Sequence, residues 1–129
     1  MKRLKERYED YCKALNRLKE ALEENATEIV IDGTIQRYEF TFELAWKVMK
    51  DYLEYNGLTD SIASPRGVIQ QAYQAEIIQN GDVWIQMMLD RNAMSHLYDE
   101  EKSREIYNNI KEKYLVQLEE LKNFLAPKI

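Results

Sequence analysis

The chain has 129 residues, a formal net charge of -5, and 45% hydrophobic against 32% charged residues. A chain of this length suits one domain spanning 1–129 that buries roughly two-thirds of its unfolded surface, and its acidic balance excludes broad non-specific binding to DNA or long RNA. With only 4 Gly, 2 Pro and a single Cys, the composition excludes an internal disulfide and argues for an ordered, helix-rich protein rather than a disordered or all-β one.

Leu4, Tyr8, Tyr11, Leu15, Leu18 and Leu22 recur at steps of four and three, which predicts a first helix ending near Asn25. Its other face carries Lys5, Glu9, Lys13, Lys19, Glu20 and Glu23, a solvated charge run. A second helix is expected to start between Thr27 and Asp32 and to last to Asn56, with Gly57 as its left-handed cap. Its apolar residues, Ile35, Tyr38, Phe40, Phe42, Leu44, Trp46, Val48, Met49 and Leu53 among them, occupy most of the circumference, so several neighbours or a second subunit must cover it. Buried charges need partners, so Glu39 or Glu43 within this helix is a natural counter-charge for Arg91.

Ser64 and Pro65 mark the next helix start, as N-cap and first helical residue, and that helix is predicted to stop at Asn80-Gly81. Asp82 is the expected cap of a fourth helix, in which Trp84, Met88, Arg91 and Ser95 fall at steps of four, three and four. The last helix is expected to begin near Asp99 and to bury Ile106, Ile110, Tyr114, Leu118, Leu121 and Leu125 before Pro127. The fold expected is all-α, an up-and-down four-helix bundle with an additional short helix.

The segment 90–99, Asp-Arg-Asn-Ala-Met-Ser-His-Leu-Tyr-Asp, holds the only histidine and gathers polar and ionisable side chains in a short span. Arg91 offers a rigid fork of donors for phosphate or carboxylate, and His96 can exchange protons near neutral pH. On a continuous helix the two differ by roughly 140° in direction, so either the helix ends near Ser95 or they serve different neighbours. Asn92, four residues before His96, can orient the imidazole. Without a functional site, the same residues read as a helix end with a structural salt bridge. Other chemistries fit less well: one His and one Cys, with no His-Glu-x-x-His spacing, give no metal site, and none of the glycines forms a phosphate-cradling pair. No apolar run is long enough to span a bilayer and the N-terminus lacks a signal-peptide pattern, so a cytoplasmic protein is expected.

Three blocks in order, Gln36-Arg37-Tyr38-Glu39-Phe40-Thr41-Phe42-Glu43-Leu44-Ala45-Trp46-Lys47, Ser64-Pro65-Arg66, and Asp90-Arg91-Asn92 with Ser95-His96-Leu97-Tyr98-Asp99-Glu100, resemble the substrate-binding subunits associated with minimal nucleotidyltransferases, within the HEPN helical-bundle group. The resemblance implies a homodimer that assembles with a separate, small nucleotidyltransferase, as in two-gene toxin-antitoxin modules. The chain lacks a nucleotidyltransferase motif, so no such activity of its own is expected; no cofactor is expected, and a nucleotide or RNA would be the substrate presented. In the related toxins an Arg-x4-His-x-Tyr pattern forms a metal-independent ribonuclease site across the dimer, silenced by AMP transfer to the Tyr. Carried over, Arg91 would hold the scissile phosphate, His96 would act as general acid or base and Tyr98 would be the modification site, with Asn92, Ser95, Glu39 and Glu43 in support. Those toxins typically have Ala before the His, where this chain has Ser95.

Overall fold

The computed structural model describes residues 1–58, 64–94 and 99–129. They form α1 (Lys2–Glu23), α2 (Glu28–Tyr55), α3 (Pro65–Gln74), α4 (Gly81–Met94), α5 (Glu100–Asn109), a π-helical turn (Ile110–Tyr114), α6 (Leu115–Leu125) and a closing 3-10 turn (Ala126–Lys128). The described residues contain no strand. Because α5, the π turn and α6 run on as one interrupted helix, the architecture is an up-and-down bundle of four main helices with α3 as the additional short one.

The bundle is built around α2, which packs against α1, α3, α4 and α5. This covers most of its apolar girth: Ile31, Ile35, Tyr38, Phe42, Ala45, Val48, Met49 and Leu53 are all buried, whereas Phe40 is 63% exposed. Two of the hydroxyls that α2 buries are satisfied within the helix, Thr34 donating to the Val30 carbonyl and Thr41 to that of Arg37. The stripes of α1 and of the last helix meet at Tyr11, whose buried hydroxyl donates to the Leu118 carbonyl at 2.6 Å. Truncating a fully buried member of these stripes, such as Leu18 or Leu118, costs about 2–5 kcal/mol.

Most predicted ends hold. Thr27 caps α2 through Val30 N–H, Ser64 caps α3 through Gly67 N–H, and Asp99 caps α5 by accepting from Glu101 and Lys102 N–H. Gly57 sits at φ 68, and the backbone bonds Gly57 N–H to Glu54 O and Leu58 N–H to Leu53 O close a Schellman motif.

Three expectations need correction. The third helix stops at Gln74, well before Asn80-Gly81, because Glu76 turns left-handed at φ 60 and a second Schellman motif closes through Glu76 N–H to Tyr73 O and Ile77 N–H to Ala72 O. Asp82 lies in the first turn of α4 instead of capping it, and Trp84 N–H bonds back to Asn80 O. The last helix is broken by the π turn, with Leu115 N–H reaching Ile110 O, five residues back. The expected loop through Ala63 falls at 59–63, outside the described residues.

Candidate functional site

Arg91, in the last turn of α4, sits over the Phe42 ring of α2, 5.6 Å from guanidinium carbon to centroid. Its Nη2 sits 2.6 Å from Glu43 Oε2. The same carboxylate oxygen accepts from Trp46 Nε1 at 3.0 Å, and Oε1 takes Lys47 Nζ at 3.3 Å. Helical spacing explains the set, since Glu43, Trp46 and Lys47 stand three and four residues apart on one face of α2. Burial alone would raise the Glu43 pKa, but the Trp46 hydrogen bond, the Arg91 charge and Lys47 together outweigh it and hold the carboxyl below its ordinary value.

Of the two expected counter-charges, Glu43 therefore holds Arg91. Glu39, one turn earlier, is half-buried, and its pKa is raised by burial, with the Arg91 charge opposing the rise only in part. It lines an open groove of about 680 Å³ between α2, the end of α4 and the start of α5. The walls combine Ile31, Ile35 and Met94 with Glu28, Asp32, Asp99, Glu100 and the guanidinium of Arg104. The groove is acidic: the neighbouring Glu100 charge raises the exposed Glu28 pKa, and a hydrogen bond that protonated Glu28 donates to Glu100 adds to the rise.

Asn92 is exposed at the next position of α4. Ser95, His96 and Tyr98 lie outside the described residues. Met94 and Asp99, which flank 95–98, both belong to the groove wall.

Two participants escaped the sequence reading. Trp46 was read as core, although it also donates to Glu43. Asp90, given no role by the sequence, is 8% exposed and accepts from Tyr114 Oη at 2.5 Å and Asn109 Nδ2 at 3.3 Å. Its place three residues after the buried Met87 was a usable signal, because that spacing turns it inward. Among the described residues, no group of three His, Cys, Asp or Glu side chains could hold a metal ion. None of the described helices is long and apolar enough to cross a membrane.

Fold and site together define an all-helical bundle with a paired arginine where α4 nears its end, beside an acidic groove. The chain belongs to the family described as nucleotidyltransferase substrate binding protein like, whose model matches residues 6–127. A probable ribonuclease HepT of Haemophilus influenzae is 33% identical over 86 residues, 64% of this chain and 59% of the relative, so the match spans less than two-thirds of that protein's length. A solved Thermus thermophilus structure superposes with a TM-score of 0.83 at 31% identity, over 90% of this chain and 98% of the other. A Haemophilus influenzae structure, described as revealing the fold of a substrate binding domain of a nucleotidyltransferase, superposes with a TM-score of 0.81 at 24% identity, over 92% and 98%. The latter likeness is one of fold.

Proposed function

We propose that this chain is the substrate-binding partner of a separate, small nucleotidyltransferase, acting as a homodimer within a two-gene, toxin-antitoxin-like module. The observation that carries the reading is the family match over residues 6–127. An acid-lined groove supports it, because such a surface suits docking to a protein better than gripping a polyanion. The test mixes the purified chain with a small nucleotidyltransferase from the same genome and measures mass by light scattering. A complex containing two copies of this chain is expected; separate elution at micromolar concentration would remove the reading.

A second reading, a metal-independent ribonuclease, is favoured by the 33% identity to the probable ribonuclease HepT. In it His96 takes the proton from a ribose 2′-hydroxyl, the freed oxygen attacks the adjacent phosphorus, and the bond to the 5′-oxygen breaks. That leaving oxygen takes up a proton as a 2′,3′-cyclic phosphate remains. Arg91 stabilises the charge growing on the phosphate, and a placed acid or base contributes about 10²–10⁴-fold. Partner-catalysed transfer of AMP from ATP to the Tyr98 hydroxyl, releasing pyrophosphate, would silence the site. RNA cleavage by the parent and its loss in His96→Ala are expected; equal cleavage by both, or none by either, rejects this reading. Intact mass after incubation with the partner and ATP tests the modification, which Tyr98→Phe should abolish.

A further inference from the structure

Asp90 and Arg91 are neighbours on α4 with opposite surroundings. Arg91 reaches across to Glu43 on α2, while Asp90 turns into the bundle toward the last helix. Its Oδ2 accepts both Tyr114 Oη and Asn109 Nδ2. On an α-helix, residues five apart point roughly 140° away from each other. The π turn beginning just after Asn109 and ending at Tyr114 changes this, because i to i+5 bonding brings such residues onto one face. Tyr114 in turn stacks on Tyr38, with centroids 5.7 Å apart and planes at 23°, and Tyr38 Oη donates to the Met87 carbonyl at 2.8 Å. One stacked tyrosine pair thus grips α4 at Met87 and Asp90, directly ahead of Arg91.

We infer that Asp90 is a positioning residue, and that the Asp90–Tyr114–Asn109 lock fixes the rotation of α4 so that Arg91 is presented at a set angle. An apolar residue would pack in this interior without the cost of burying a carboxylate. Apolar contacts are non-directional, however, whereas hydrogen bonds fix an angle. Successive helix residues are about 100° apart, so any roll of α4 that freed Asp90 would swing Arg91 off Glu43 by the same amount. The inference rests on the proposal that Arg91 belongs to the working site.

The experiment titrates the Glu43 carboxyl by carbon NMR in the full chain, assigned through Glu43→Gln, for the parent and for Tyr114→Phe, Asp90→Leu, Asp90→Asn and the remote Tyr11→Phe. Tyr114→Phe and Asp90→Leu should move the Glu43 midpoint up toward the ordinary carboxylate range. Asp90→Asn keeps an acceptor and should move it less, and Tyr11→Phe should leave it in place. Asp90→Leu removes the buried charge and remains informative if Tyr114→Phe does not fold. A Glu43 midpoint unchanged in both lock variants, or moved equally by Tyr11→Phe, would overturn the inference. In an RNA-cleavage assay, Tyr114→Phe should lower kcat/KM by about 10²-fold through misplacement of Arg91. No cleavage by the parent would reject the ribonuclease reading, while the Glu43 titration would still decide the role of Asp90.

Discussion

At the scale of single residues, Glu39 and Glu43 differ by one helical turn and respond to pH with opposite sign. Glu43 has a depressed pKa in the fold, so its stabilisation is full above the ordinary glutamate value of about 4.3 and is lost as pH falls through the depressed value. Glu39 has a raised pKa because it is partly buried, so its protonated form suits the fold and its contribution is lost as pH rises through the raised value. Glu39→Gln should therefore raise Tm at pH 7, with the gain vanishing in acid. Glu43→Gln should lower Tm at pH 7 by the equivalent of about 1 kcal/mol, given a pair open to solvent on one side, with the loss shrinking below pH 4. Thermal melts from pH 3 to 8 read both. Sequence spacing narrowed the partner of Arg91 to these two acids. The choice between them depends on how α4 crosses α2, which no local pattern encodes.

At the scale of elements, two helices end in the same Schellman geometry with different residues at the left-handed position. Gly57 adopts it freely, while Glu76 carries a Cβ that makes it costly by roughly 1–2 kcal/mol. Glu76→Gly should raise stability by up to about 1 kcal/mol, and Gly57→Ala should lower it by about 1 kcal/mol, opposite shifts of a few degrees in a melting experiment. The difference also explains what is legible: glycine announces a helix stop, whereas glutamate reads as a helix former, so the sequence predicts too long an α3. The Asp99 cap was legible for the converse reason, its side chain being suited to free N–H groups followed by acidic residues. Asp99→Ala should cost about 1 kcal/mol by denaturant titration and loosen the start of α5 in hydrogen exchange.

At the scale of the whole molecule, the net charge of -5 and the acid-lined groove set which partners approach easily. Neutralising two of its carboxylates in a Glu28→Gln, Glu100→Gln double variant should tighten binding of a short RNA, measured by fluorescence anisotropy, and the gain should fade as salt rises. Unchanged affinity would mean that the groove does not face the RNA. The four-helix plan was legible because each stripe kept a helical period, but the central place of α2 follows from packing rather than from any one helix. The π turn also left a trace in the sequence. Ile106, Ile110, Tyr114 and Leu118 follow at three steps of four, which on an ideal α-helix would drift by roughly 120°, yet all four are fully buried. The wide turn absorbs that drift, so it behaves as an α-helix carrying one inserted residue. Deleting the exposed Glu112 should restore an unbroken helix, leave Tyr114 and Leu118 facing inward, and cost little in Tm. The same deletion at Glu119 would rotate Leu121 and Leu125 by roughly 100° out of the core and unfold the chain. Alignments of this family should accordingly tolerate a one-residue gap at 110–114 and none within α6.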